Sequence, residues 1–309
     1  MSRGRRTIAL PAGYRHADAY TFHGRDADAL AERVEPDAGR SHGGRSHGGR
    51  SHGGRIRKGV LLGGVPTVLD ITLYADRAEC VVDSDGTASE AAVRDALVNM
   101  LGLRIDPAPF EQAVQDDPLF GPVVARQPGL RVIQSATVFE ALTWAIIGQQ
   151  INLPFAIALR RTFIGQAGRA HSSGLWCYPE ATDVARLDTE QLTSRKFSGA
   201  KAETLLRVAL LVADGELSLA REMDTAGASE RLLAVKGIGP WTVNYALLRG
   251  WGDADCSLHG DVAVRNAIGR LRGTERPDMR AAEAFLACYR PHRTMAAAYL
   301  WASLSQPAG

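Results

Sequence analysis

Two periodicities divide the chain. Over roughly the first hundred residues, short aliphatic and β-branched runs recur between turn formers, and Thr7–Leu10, Gly59–Leu62, Thr67–Leu73 and Glu79–Val82 predict strands. Asp26–Val34 and Ser89–Leu101 carry helical spacing instead. From Pro107 onward apolar residues recur every three or four positions. Helices are predicted over Ala200–Ala213, Ala226–Val235, Pro240–Arg249, Val262–Leu271 and Arg280–Tyr289. The expected class is α+β, with a small N-terminal mixed sheet lobe over residues 1–112 and a mostly α-helical body over 113–309.

One segment fits neither pattern. Arg-Ser-His-Gly-Gly occurs three times from Arg40 to Gly54, with no apolar residue in any copy. Such a stretch cannot bury a core, so residues 40–55 predict a disordered surface loop, explained most simply by a slipped repeat. His42, His47 and His52 could touch a transition metal loosely and the arginines a phosphate, without either being needed for catalysis.

Composition narrows the classes. At 309 residues and 45% hydrophobic content the chain can bury a sizeable core. A net charge of +2 permits a polyanionic partner without demanding one. No apolar run has the length of a membrane span, and the basic Met1–Arg6 segment leads into a strand and not into a secretory core. Cys80, Cys177, Cys256 and Cys288 are scattered, with no pair at cluster-ligand spacing. No iron–sulfur cluster and no metal site are expected, and the isolated thiols fit a reducing, cytoplasmic setting.

The chemistry concentrates in residues 224–261. Asp224 and Thr225 are N-cap candidates for a helix that ends near Val235, and Gly237-Ile238-Gly239 follows as a tight turn. Two glycines let main-chain amides approach a phosphate oxygen, and Pro240 suits the first position of the next helix. The unit reads as helix–hairpin–helix, although a plain corner between two helices would use the same glycines. Trp241 and Tyr245 stand four apart and share a helix face, where they can serve the core or stack on an extruded base. Asp261 opens the segment Val262–Leu271 as a favoured N-cap residue, and Gly260 before it leaves room for a close ligand backbone.

These residues also carry a resemblance. Lys236-Gly237-Ile238-Gly239-Pro240-Trp241-Thr242-Val243-Asn244-Tyr245-Ala246, followed by Gly260-Asp261, resembles the helix–hairpin–helix DNA glycosylases, specifically their alkylbase type. Phe139–Ile151, with Gly148-Gln149 near its end, is similar to the family's helix that enters DNA near the lesion. Tyr289-Arg290-Pro291-His292-Arg293 and Ala296–Trp301 resemble its closing helices. The resemblance covers roughly residues 125–304 and is looser before them.

It implies a mechanism and a set of roles. Asp261 would be the catalytic carboxylate. Trp241, Tyr245, Gln149 and His292 would line the base pocket, and Gly237, Gly239 and Thr242 would hold the DNA backbone. Gln150 stands at the position of an apolar wedge. His292 stands where well-known members have a stacking tryptophan, and His259 where a proline is common. Family members with lyase activity carry a lysine two residues after the second hairpin glycine, the amine that forms a Schiff base. Trp241 occupies that position here, so the resemblance implies a monofunctional enzyme. It would hydrolyse alkylated purines of the 3-methyladenine or 7-methylguanine type from double-stranded DNA, as a monomer, nucleoid-associated in a bacterium. It would require no cofactor, with a structural monovalent cation at the hairpin as the one ion to look for. Two other readings stay open: a catalytically silent helix–hairpin–helix DNA-binding module, and an oxidised-base glycosylase.

Overall fold

The computed structural model describes residues 2–36 and 54–304. Positions 40–53 of the repeat, with His42, His47 and His52, lie outside the described residues.

Five strands form one sheet: β1 (Ser2–Ala9), β2 (Glu32–Glu35), β3 (Arg55–Leu62), β4 (Val65–Leu73) and β5 (Arg77–Ser84), in the order β1-β5-β4-β3-β2. All neighbouring strands are antiparallel, where a mixed sheet was expected. Gly63 and Gly64, at φ of 61° and 78°, turn β3 into β4 with the left-handed backbone that a two-residue hairpin needs. Both of their amides donate to the Glu180 carboxylate, at 2.8 and 2.7 Å.

Alternation assigns the faces. Ile56, Leu69, Ile71 and Leu73 are fully buried, each stabilising the fold by about 1.5–3 kcal/mol relative to exposure. The opposite face carries Arg5, Val81, Asp70, Arg57 and Arg33 in one row across all five strands.

A charged cluster interrupts the apolar side. Glu32 lies directly opposite Lys58 in the β2–β3 register. Its carboxylate meets Lys58 Nζ at 2.9 Å, Arg160 Nη2 at 3.0 Å and His23 Nδ1 at 3.1 Å, with all four side chains almost wholly buried. Burial pushes the Glu32 carboxyl up, but Lys58, Arg160 and His23 together hold it well below the usual carboxylate range.

This cluster overturns one expectation. The predicted helix over 26–34 is a turn followed by β2, and the local helix lies earlier, over His16–His23. Ala27, Ala29, Leu30 and Glu32 are acceptable helix formers, but a strand at 32–35 is what brings Glu32 opposite Lys58. Tertiary pairing outweighs a propensity worth only tenths of a kcal/mol per residue, as an order of magnitude.

The remaining helices follow the sequence closely. Expected Ser89–Leu101 is Glu90–Met100, Ala200–Ala213 is Gly199–Ala213, Val262–Leu271 is Val262–Arg272 and Arg280–Tyr289 is Met279–Ala287. Pro240–Arg249 is shorter as an α-helix, Pro240–Ala246, and runs on as a π-helical turn through Leu247–Trp251.

The chain divides into two compact units, one of residues 1–97 with 150–214 and one of 98–149 with 215–309. That division differs from a single break at 112/113. Helical spacing reports which segments coil and not which core they join, and residues 150–214 join the sheet. There β6 (Arg169–Ala170) and β7 (Trp176–Cys177) form a short hairpin, and Val60 pairs with Tyr178 in a parallel bridge. Gly59 allows this approach, since a Cβ there would stand 2.1 Å from the Trp176 carbonyl oxygen.

Two outcomes follow from this unit. Gly59→Ala should destabilise the protein by about 1–3 kcal/mol in urea titrations, because neither backbone can give way. Glu32→Gln should cost about 3–5 kcal/mol by withdrawing the charge that Lys58 and Arg160 share. The sign of the pH effect follows from the lowered carboxyl. Its contribution is complete above the ordinary value of 4.5 and is lost as pH falls through the lower folded value, so wild type and Glu32→Gln should differ fully above 4.5 and converge progressively as pH falls from there through the folded value.

Candidate active site

The hairpin forms as its residues dictate. Asp224 caps the helix Thr225–Leu233, its Oδ1 accepting from Gly227 N at 2.8 Å. The chain then turns through Gly237, at φ 97°, while Ile238 N donates to Val235 O at 3.0 Å. Ile238 is buried and Lys236 and Gly237 are exposed, so the apolar side chain anchors a turn whose glycine rim faces outward. Gly239 is the N-cap of the helix Pro240–Ala246, with Pro240 at its first position.

That helix ends in the π turn, where Gly252 N donates to Leu247 O at 2.9 Å. Such turns aim side chains that a regular helix would not. Here the Arg249 guanidinium lies over the Trp301 ring at 5.5 Å and the Tyr245 ring at 6.0 Å.

The loop that follows is fastened at several points. Asp253 Oδ1 accepts from Asp255 N at 2.7 Å, the side-chain-to-backbone contact of an aspartate turn. Arg293 forks onto Asp255, with both contacts at 2.8 Å. Asn244 links the hairpin helix to this loop, accepting from Ser257 N at 2.9 Å and donating to Pro240 O at 2.9 Å. His259 pairs locally, its Nδ1 2.9 Å from Ser257 Oγ.

The fastened loop delivers Asp261. Its Oδ1 caps the helix Val262–Arg272 by accepting from Val264 N at 2.9 Å, and also accepts from Trp301 Nε1 at 3.2 Å. Its Oδ2 accepts from Trp241 Nε1 at 3.0 Å. The Trp241 and Tyr245 rings lie 5.4 Å apart at 33°, and Tyr245 lies 6.4 Å from Trp301. Tyr245 is held from behind, its hydroxyl accepting from Trp144 Nε1 at 3.0 Å. A half-buried carboxylate therefore stands in an aromatic nest with N–H donors on both oxygens.

The other expected residues are arranged differently. Gln149 Nε2 donates to Thr242 Oγ1 at 2.8 Å and to Gly237 O at 3.1 Å, so this pair clasps the hairpin to the end of the helix Val138–Gly148. Thr242 is buried, and its hydroxyl faces Gln149. Gln150 is exposed at φ 56°, a left-handed conformation that costs a non-glycine residue of order 1–3 kcal/mol. His292 lines a cavity of about 190 Å³ with Phe110, Asp117 and Tyr289, which includes none of Asp261, Trp241 and Tyr245. Its amide donates to Tyr289 O at 2.7 Å.

Sequence reasoning missed Trp301 and Arg249 as members of the site. Trp301 follows the small-residue run Ala296–Ala298 in the helix Arg293–Leu304, and a lone indole N–H in such a setting is the available signal. Among the described residues, no group of three His, Cys, Asp or Glu could hold a metal ion. What the hairpin offers a monovalent cation is neutral main-chain carbonyl oxygen, and those of Val235 and Gly237 already accept hydrogen bonds. None of the described helices is long and apolar enough to cross a membrane.

No protein-family model matches the chain. Over 176 residues it is 35% identical to a Bacillus subtilis protein named DNA-3-methyladenine glycosylase, which covers 55% of this chain and 58% of that one. The chain thus spans less than two thirds of that relative's length. The 3-methyladenine DNA glycosylase of Archaeoglobus fulgidus superposes with a TM-score of 0.77 at 23% identity, covering 96% of this chain and 97% of that one. A Clostridium acetobutylicum 8-oxoguanine glycosylase/lyase, solved with double-stranded DNA, superposes with a TM-score of 0.64 at 16% identity over 80% of this chain and 83% of its own. The chain is similar in sequence to proteins named DNA-3-methyladenine glycosylase and shares its fold with the solved 3-methyladenine DNA glycosylase of Archaeoglobus fulgidus.

Proposed function

We propose that the protein is a monofunctional DNA glycosylase that releases alkylated purines from duplex DNA and so starts base excision repair. The observation that carries this reading is the Asp261 carboxylate, held by two indole N–H groups beside the Trp241 and Tyr245 rings. The sequence kinship with 3-methyladenine glycosylases favours alkylated over oxidised bases.

The chemistry asks little of the protein. An N3- or N7-alkylated purine is already cationic and leaves with the electrons of the glycosidic bond, without protonation by an enzyme acid. The sugar left behind carries the positive charge, which a nearby carboxylate stabilises. Water then adds at C1′ and loses a proton to solvent, giving the free base and an abasic site. Trp241 stands where an amine nucleophile would be needed for strand cleavage, so the backbone stays intact. Aromatic faces attract a cationic base more than its neutral parent, and a damaged base is cheaper to unstack. The hairpin amides at Gly237 and Gly239 would hold a phosphate, and the exposed, strained Gln150 would occupy the gap left by the extruded nucleotide. No step as written uses a metal or other cofactor. The setting would be cytoplasmic, at the nucleoid in a bacterium, with the enzyme acting as a monomer.

Wild-type protein incubated with methylated duplex DNA should release free methylpurines and leave abasic sites that break only after alkali. Asp261→Asn should slow release by at least about a hundredfold, the scale of losing one electrostatic stabiliser of a developing charge, while duplex affinity stays nearly unchanged. Gly237→Ala should do the reverse, weakening binding of unmodified duplex, because φ 97° is unfavourable for alanine and the turn must move. Binding by wild type with no base released would leave a DNA clamp in place of an enzyme.

A further inference from the structure

We propose that the outward face of the N-terminal sheet is a further contact surface for the backbone of duplex DNA, carried by Arg5 at one edge and by Arg33 and Arg57 at the other. The inference goes beyond the glycosylase reading. Its test reads binding alone, so it stands or falls without base release.

One row of residues crosses all five strands on this face, in the order Arg5, Val81, Asp70, Arg57, Arg33. The other arginines of the face are occupied by carboxylates. Arg3 meets Asp83 at 2.9 Å, Arg55 forks onto Asp70, and Arg77 meets Glu79 at 2.8 Å. Arg5 and Arg33 are exposed on the two edge strands, and the residues directly opposite them are Val81 and Arg57, not acids. Stability does not account for this arrangement. Like charges directly opposite on neighbouring strands are destabilising, yet Arg33 stands opposite Arg57. Arg57 is itself poorly matched, its Nε lying 3.6 Å from Asp70 Oδ2 without a hydrogen-bond partner. Such a local conflict is the mark of a surface whose charge is completed by a ligand.

Spacing selects the ligand. Three strand intervals separate Arg5 from Arg57 and four separate it from Arg33, so the positive ends of the row stand about 14 to 19 Å apart. No small anion reaches both. The cavity of about 320 Å³ on this face is lined by Asp70 and Asp83 as well as by arginines, and so is no anion pocket. Phosphates repeated along a polymer do reach both ends, since 19 Å is the axial rise of about five or six base pairs. The row also lacks an aromatic ring on which unstacked bases could lie, which favours a duplex over a single strand.

The experiment measures affinity for an unmodified DNA duplex as a function of salt. Arg5→Thr/Arg33→Thr keeps strand-forming residues at both places and should make the slope of log K against log salt shallower by about two, with affinity at least about tenfold weaker near 0.1 M salt. Arg5→Lys/Arg33→Lys should keep the wild-type slope, because a backbone contact of this kind needs charge and not a fork. The melting temperature of the threonine variant should not fall, since a like-charge pair is relieved. Should it fall, Arg5→Gln/Arg33→Gln removes the same charge with longer side chains and should give the same change of slope. Arg186→Ala/Arg280→Ala takes the same charge from exposed positions elsewhere and should leave the slope as it is. An equal loss in that control, or a larger loss for single-stranded DNA than for duplex, would overturn the proposal. Edge charges also keep the strands of two copies from pairing. Were that their whole duty, the threonine variant would self-associate with duplex affinity and slope unchanged, and the proposal would fall. Absence of base release by wild type would count against the glycosylase reading alone.

Discussion

Three helices meet on one carboxylate. Asp261 caps its own helix through Val264 N, while Trp241 reaches it from the hairpin helix and Trp301 from the last described helix. An N-cap ordinarily leaves its second oxygen to water. Here the second oxygen carries an indole N–H, and the first carries another beside the cap bond. Removing the carboxylate would leave two half-buried indole donors and one helix end without an acceptor, at roughly 1–3 kcal/mol for each unsatisfied group. On the proposed reading, stability and chemistry would draw on the same atoms, and the surrounding loop is fastened at several points. The Asp255–Arg293 fork, the Asn244 bridge and the Thr294 hydroxyl that accepts from Cys256 N all act to fix where residue 261 begins its helix.

The hairpin depends on the same economy of short contacts. Gln149 spends its amide on Thr242 and on the Gly237 carbonyl, which ties the end of one helix to the glycine turn. The two residues expected at base and backbone thus brace the turn between them. What remains outward is the glycine rim itself, where main-chain groups and not side chains would meet a ligand.

What the sequence made legible was local. Asp224 and Asp261 as caps, Pro240 as a first helical residue and Gly237 as a turn all rest on interactions within four positions, and each stands as expected. The misses are long-range. Trp301 meets Asp261 across forty positions, and no periodicity marks that meeting. Residues 26–34 have acceptable helical spacing, yet Glu32 is committed to Lys58 and Arg160, which are distant in sequence. The affiliation of residues 150–214 with the sheet turns on Gly59, and here a signal existed. A glycine inside an apolar strand marks a close backbone approach, and the Trp176 carbonyl is what approaches.

The aromatic nest can also be ranked. Tyr245 has its hydroxyl occupied by Trp144 and its ring approached by the Arg249 guanidinium, and Trp301 likewise lies under Arg249. A second cation gains less from a ring that already faces one, because the two positive charges repel across it. Trp241, like Trp301, donates its N–H to Asp261, but its ring lies beside Tyr245 and, among the described contacts, is not the ring that Arg249 covers. On the proposed reading, discrimination in favour of a cationic base therefore falls mainly to Trp241. On that reading the same indole would serve both halves of the reaction, with its face offered to the departing base and its edge on the Asp261 carboxylate.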